Sequence, residues 1–506
     1  MMPPPPPSRP ASPATDADPS AKAGFRRDVA AYACSQVAVG VRDLLFVAAI
    51  ASTLGAEVYG VWSQVMITVA LLDPVVRLRL DMAVVRYLAA RSLRDAAGEV
   101  HAMALLIGGV GAVIAVLLVS GRGGASTLIF GSSAHAGTLL ALAVLLVSRA
   151  LFSFLGGVYR AFGGIAFFSA VRAIQVASEL GAVTLVAVGL RAGLQPTLWT
   201  AVAVQCLFTL LLAVDVGRRS GTVRPRFGRL LRALRYSLPL IPNAMLLWAI
   251  GYADRYVITH LLGLHEVARY SAAYRMAQLV TFFVMPISFA LFPLISRMWG
   301  REPDRHVADR VARALRGLLL LSVPMALGVA AVGDRLLMYL SGAEVLASPL
   351  LLLQLAVAGL LLGMYQIYVY IVHLSERTGW LVVTFASVAG TNLGLNLLLV
   401  PHWGLLGAAA ATLLAYLMQF VVVLALSRRT LRVRFPWRSL AAASVSALGM
   451  AAAARAMSRA SLAGLLGAIA VSVVIYGLCL VALREIRPGD VKRLLRLSGG
   501  RRRDRG

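Results

Sequence analysis

The sequence predicts an all-α integral membrane protein with about fourteen transmembrane helices, arranged as two pseudo-symmetric six-helix bundles plus two extra C-terminal helices. Three observations carry that prediction. Of the 506 residues, 59% are hydrophobic and only 14% charged, with a mean hydropathy of +0.80; soluble domains run at roughly 45–50% apolar. Apolar stretches of roughly 20 residues, each enough to cross about 30 Å of hydrocarbon, recur along the whole chain. A short string near the start of the first half is also repeated in the second.

In chain order, residues 1–24 are rich in proline and lack the apolar core of a signal peptide, so a flexible cytoplasmic tail is expected. Spans are expected near 30–52, 58–78, 100–120, 136–156, 165–189 and 196–217, forming an N-terminal bundle over 25–217. A basic cytoplasmic linker follows at 218–236. Spans near 237–260, 270–295, 314–333, 348–372, 380–400 and 404–427 form a C-terminal bundle over 237–429. The segment 430–483 holds a further pair, near 438–455 and 462–483, and 484–506 is a basic cytoplasmic tail.

The connections alternate in character. Those assigned to the cytoplasm are long and basic, notably 217–236 and 296–317. Those assigned outside are short and carry only Arg122, Arg191, Arg269, Arg335, Arg455 and Arg459. This asymmetry is the positive-inside pattern. It explains the net charge of +27 by topology and lipid headgroups, and no nucleic-acid partner is expected. Within 296–317, Val307, Val311, Ala314 and Leu318 share one helical face among arginines, which suggests a helix lying on the membrane surface.

The repeat is "LGAEVYGVWS" (54–63) against "LGLHEVARYS" (262–271), with "ELG" (179–181) and "NLG" (392–394) at a similar offset. Each long copy joins an odd span to an even one. Two related bundles facing each other suit alternating access around a central site.

Charged residues inside the spans mark where that site should be, because each is costly against lipid. They are Arg42, Asp43, Arg149, Arg172, Glu179, Asp254, Arg255 and Arg275. Arg172, Gln175 and Glu179 line one face, as do Arg275 and Gln278 with Ser271, Tyr274 and Thr281. Thr384, Ser387 and Thr391 form a third stripe beside Asn392 and Asn396, and Asn243 shares a face with Asp254. Arginine outnumbers carboxylate, and a guanidinium fork matches phosphate oxygens. The expected substrate-binding set is therefore Arg42, Arg149, Arg172, Arg255, Arg275, Gln278, Asn243, Asn392 and Asn396. Asp43, Glu179 and Asp254 are candidates for ion coupling, or for ion pairs that hold helices together. Pro239, Pro242, Pro286 and Pro293 break the same helices. Gly359–Gly363 and Gly390–Gly394 read as helix-packing pairs.

Other chemistry finds little support. Cys34, Cys206 and Cys479 are isolated, the histidines form no metal motif, and Asp16–Asp18 lies in the proline-rich tail. No metal, cofactor or P-loop is expected.

The stretch 261–300, "LLGLHEVARYSAAYRMAQLVTFFVMPISFALFPLISRMWG", resembles the span 7–8 signature of bacterial polysaccharide flippases. So does "NLGLNLLLVPHWGLLGAAAATLLAYLMQ" (392–419), which is similar to their span 11–12 hairpin. These belong to the multidrug/oligosaccharidyl-lipid/polysaccharide (MOP) exporter superfamily. Ala268 departs mildly from the usual glycine. The resemblance implies a central cationic cavity and a polyprenyl-pyrophosphate-linked oligosaccharide moved from the cytoplasmic to the periplasmic leaflet for polysaccharide biosynthesis. It implies no enzymatic activity and a multi-pass protein of the bacterial inner membrane with both termini cytoplasmic. Expected partners are the lipid-linked glycan and membrane lipids, with a polysaccharide polymerase and glycosyltransferases nearby. The alternatives are an ion-coupled drug or metabolite antiporter of the same superfamily, and a membrane enzyme of glycan assembly. An antiporter calls for a cation-binding cavity dominated by carboxylates and aromatics, and an enzyme calls for a large outer loop.

Overall fold

The computed structural model describes residues 35–485, apart from 37, 222, 376–378 and 459–460. The expected tails at 1–24 and beyond 485, the Asp16–Asp18 pair, Cys34 and Arg459 lie outside these residues. Among the described residues the chain is helical, with no strand. The first half contains α1 (38–54), α2 (Ala56–Val76), α3 (Leu80–Leu88), α4 (Leu93–Ser120), α5 (Arg122–Phe130), α6 (Leu139–Ala161), α7 (Ile165–Gly189) and α8 (Leu194–Ser220). A short helix, α9 (Leu230–Ser237), lies in the linker. The second half contains α10 (Leu240–Leu262), α11 (Leu264–Met298), α12 (Asp304–Ser341), α13 (Pro349–Leu374), α14 (Gly379–Arg428), α15 (Trp437–Met457) and α16 (Leu462–Ala482).

Eleven of these helices are long and apolar enough to cross a membrane. The 50-residue α14 counts once among them, although Gly404 leaves helical geometry at φ 55°, ψ −135° and bends it. Side chains such as Leu117, Leu210 and Leu478 point outward, where hydrocarbon rather than water suits them.

The repeated string has the same shape in both places. Gly55 sits at φ 93°, ψ 163° and Gly263 at φ 90°, ψ 172°. Each turns one helix sharply into the next, a conformation that only glycine adopts without strain. Between the copies, α2 crosses α11 so closely that a Cβ on Gly60 would stand 2.1 Å from the carbonyl oxygen of Leu264. Ala268, the counterpart of Gly60, is fully buried. Small residues at such a crossing let two backbones touch.

The halves share a core at this end of the molecule. One buried apolar cluster joins the first-half helices to second-half residues between 257 and 280, 326 and 356, and 400 and 409. A second cluster fills the second half toward the opposite end. The first end, which carries Gly55, Gly263 and Gly342, is therefore sealed. The other end carries the basic connections. At the sealed end the Glu344 carboxylate accepts a hydrogen bond from the Ala56 backbone N–H at 2.7 Å. The helix α2 has no side-chain cap of its own, so an acid from the other half satisfies one of its orphan donors.

Two local expectations change, and one takes a specific form. The face carrying Val307, Val311 and Leu318 does not lie on a membrane surface. It is the start of the 38-residue α12, and these residues are buried in the second-half core. The pattern that marks an interfacial helix also marks one packed on protein. Gly363 is a packing position, since a Cβ there would meet Val284 at 2.9 Å, but Gly390 and Gly394 face open space. Finally, α11 tightens to 3₁₀ geometry over Gln278–Phe283, ahead of Pro286, before resuming as an α-helix. The proline has no N–H to give to the Phe282 carbonyl, so the α-ladder is interrupted at the end of this stretch.

Candidate functional site

Halfway along the helices, α1, α2, α6, α7, α10 and α11 enclose a cavity of about 170 Å³. Its charged wall is made by Arg42 and Asp43 from α1, Arg149 from α6, Glu179 from α7 and Arg275 from α11. The opposite wall is largely α2, which contributes Tyr59, Trp62, Ser63, Met66, Ile67 and Ala70, with Tyr252 from α10 and Phe46 from α1 completing it.

The charges are tightly connected. Arg42 donates to Glu179 through Nη1 at 2.7 Å, and to Asp43 through Nη2 at 2.7 Å and Nε at 3.1 Å. Arg275 meets the other Asp43 oxygen at 2.9 Å, and so joins the second half to the first. Arg149 stands 3.8 Å from Glu179. Gln175 donates to Glu179 at 3.0 Å and leads on through Gln205 and Thr209 to Ser148. Glu179 is 1% exposed, while Arg149 and Arg275 are 25% and 28% exposed. The carboxylate at the back is therefore fixed, and the guanidiniums in front are open to a ligand. With three arginines against two acids, the wall keeps a net positive charge, which suits an anion.

Five of the expected residues thus meet in one place: Arg42, Asp43, Arg149, Glu179 and Arg275. The Asp254–Arg255 pair does not line this cavity. Both side chains are 2% exposed and bond each other at 2.7 Å. Tyr270 and Thr412 donate to the other Asp254 oxygen, and Arg255 also donates to the Gly251 carbonyl. The guanidinium lies 4.1 Å from the Tyr274 ring centre. The ion pair, the hydroxyl donors and the ring faces each lower the cost of burying this charge pair, although the Arg255 Nε is buried without a hydrogen-bond partner. Asn392 and Asn396 are fully buried and bond each other. Gln278 accepts from Arg275 at 3.1 Å and lines a smaller cavity of about 60 Å³ with Tyr274, Thr281 and Tyr416. Asn243 and Arg172 are half-buried and outside the lining of either cavity.

The aromatic wall has no signature in the sequence. Trp62 and Ser63 belong to the repeated string, which pointed to topology, and nothing in their spacing says that this face of α2 meets a cavity. Around it the halves are tied by Trp248, whose indole N–H donates to the Ile67 carbonyl at 3.0 Å, and by Tyr256 and Thr68, whose hydroxyls are 2.7 Å apart. Among the described residues no cluster of acidic, histidine or cysteine side chains could hold a metal ion.

An all-helical membrane protein whose repeated halves enclose a charged central cavity has the general form of a transporter. The profile of the family described as "Polysaccharide biosynthesis protein" matches residues 25–299, more than half of the chain, and the chain belongs to that family. The MatE profile matches residues 239–399. The probable low-salt glycan biosynthesis flippase Agl15 of Haloferax volcanii is 22% identical over 228 residues, covering 45% of this chain and 48% of that one. An uncharacterised membrane protein of Methanocaldococcus jannaschii is 24% identical over 173 residues, 34% of each. The chain thus spans about half the length or less of these curated relatives. Among solved structures, the lipid II flippase MurJ in an inward closed conformation superposes with a TM-score of 0.73 at 14% identity, covering 90% of this chain and 99% of that one. An inward-facing multidrug resistance MATE transporter of the MOP superfamily follows at 0.64 and 14%, covering 78% and 94%. The fold is that of the MOP superfamily.

Proposed function

We propose that the protein is a flippase for a polyprenyl-pyrophosphate-linked oligosaccharide, a cargo for polysaccharide biosynthesis. The observation that carries this reading is the convergence of Arg42, Arg149 and Arg275, from three helices and both halves, on one mid-membrane cavity. Pyrophosphate bears about two negative charges, and hydrocarbon rejects such a group by far more than thermal energy. Guanidiniums held ready in a cavity replace its hydration, while the lipid tail stays in the bilayer. The polar tips of Tyr59, Ser63 and Tyr252 offer partners for sugar hydroxyls. No bond in the cargo has to be made or broken.

The basic end is the cytoplasmic end in this reading, by the positive-inside rule, and both termini lie there. Counting the bent α14 as two crossings, and adding α1 and α10, brings the eleven apolar helices to fourteen. The halves, 25–217 and 237–429, rock about the sealed end in the bacterial inner membrane, and the 430–483 pair packs outside the second half. Agl15, named for glycan biosynthesis, and MurJ, named for lipid II, support cargo of this kind.

The MatE match favours a second reading, an ion-coupled antiporter. One experiment separates the two. Polyprenyl-linked glycans extracted from a deletion strain are identified by mass spectrometry and assigned to a leaflet with a membrane-impermeant glycosidase. A repeat unit trapped on the cytoplasmic side is the expected result. No trapped glycan, together with new sensitivity to cationic drugs, would establish the antiporter instead.

A further inference from the structure

The Asp43 carboxylate lies where a cargo phosphate should lie. One of its oxygens takes two bonds from the Arg42 guanidinium, and the other takes Arg275 Nη1 at 2.9 Å. Carboxylate and phosphate present the same oxygen pattern to a guanidinium fork. With Nη1 given to Glu179, every nitrogen of Arg42 already faces a carboxylate oxygen. Asp43 fills the Nε/Nη2 fork of Arg42, so a phosphate can take that bidentate face only by displacing Asp43. Glu179 is 1% exposed and Asp43 is 17% exposed, so Asp43 is the more accessible of the two. Asp43 is also the acid that touches both halves, through Arg42 of α1 and Arg275 of α11, whereas the arginines paired with Glu179 belong to the first half.

We propose that Asp43 is a built-in stand-in for the cargo phosphate: it holds Arg42 and Arg275 together in the empty protein, and the arriving phosphate displaces it and breaks the Arg275–Asp43 bridge between the halves. This rests on the phosphate reading of the cavity. Two consequences follow. Displacement sets a threshold, because an anion must hold the two guanidiniums better than Asp43 does. A carboxylate or a single weak charge fails, and a pyrophosphate passes. Displacement also links loading to movement, since the empty protein is pinned by a bridge that cargo removes. The apparent affinity is the intrinsic one reduced by the fraction of molecules in which Asp43 has let go, so removing Asp43 should tighten binding while uncoupling it from motion.

The test uses the full chain in detergent, with inorganic pyrophosphate as the probe and calorimetry as the binding measurement. Asp43→Asn should bind about tenfold tighter than wild type, and Asp43→Glu should return toward wild-type affinity. Motion is read by spin-label distances between Arg94→Cys and Arg305→Cys, exposed sites on the two halves at the basic end, with the three native cysteines replaced by serine. Pyrophosphate should shift the wild-type distribution. Asp43→Asn should show the shifted distribution without ligand, and Glu179→Gln should not. A structural ion pair would lower thermal stability in Asp43→Asn and leave affinity and distance unchanged or weakened, which overturns the proposal. If Asp43→Asn does not fold, the wild type alone decides, because binding without a distance shift overturns it too. Failure of both wild type and Asp43→Asn to bind millimolar pyrophosphate would remove the phosphate reading itself.

Discussion

Arg255 and Arg275 carry the same charge and differ in what surrounds them. Arg255 is sealed with Asp254 among tyrosine rings, while Arg275 is 28% exposed to the cavity. Substituting them should have different effects. Arg255→Ala strands a buried carboxylate, a loss of about 3–5 kcal/mol, so a sharply lower melting temperature and poor membrane yield are expected. Arg275→Ala should fold near normally and abolish glycan export, measured by surface polysaccharide at matched protein levels. Equal stability of the two variants would contradict this division. The sequence could show that both arginines needed a polar environment, because a charge within an apolar span always does. It could not show which had an internal partner. Helical spacing places a residue on a face of its own helix, and the neighbour of that face is decided by packing between helices far apart in the chain.

At the scale of single helices, the crossing of α2 and α11 depends on the missing side chain at Gly60. Gly60→Val would push a branched side chain into the Leu264 carbonyl, 2.1 Å from the first added carbon. The sealed end should open, and a membrane-impermeant thiol reagent applied from that side should label a cysteine placed at Ser63, which the intact seal protects. Unchanged labelling would show that the crossing does not hold the seal. The helix α12 gives a second test. Val311→Asp puts a charge into the second-half core, where burial without a partner is costly, so folded protein should fall several-fold. A helix lying on the membrane surface would tolerate the change far better. Most spans were legible because about 20 apolar residues have few alternatives to crossing a bilayer. The 3₁₀ stretch in α11 and the buried start of α12 were not, since both depend on what packs alongside.

For the whole molecule, the contact between Glu344 and the start of α2 joins the halves at the sealed end. A hydrogen bond to a charged group contributes about 1.5–3 kcal/mol, so Glu344→Ala should shift the balance toward states in which this end is open by at least about tenfold. Cross-linking of cysteine pairs across that end should fall accordingly. Sidedness has its own test: a reagent outside the cell should label a cysteine at Gly124 and not one at Ser92. The pairing of two related halves was visible in the repeat at 54–63 and 262–271. Its physical basis appears in the matching Gly55 and Gly263 turns.

The uneven pairing in the cavity has a consequence in voltage. Three arginines and two carboxylates leave the empty site at a formal +1, and a pyrophosphate of about −2 turns it to about −1. An inside-negative membrane favours outward movement of the loaded, negative site and inward return of the empty, positive one. Each elementary charge crossing the full field gains about 2.3 kcal/mol per 100 mV. A cavity that changes sign on loading would draw on the same electrical gradient in both strokes of its cycle, and its turnover in liposomes should rise with an imposed negative interior and stall when the potential is reversed.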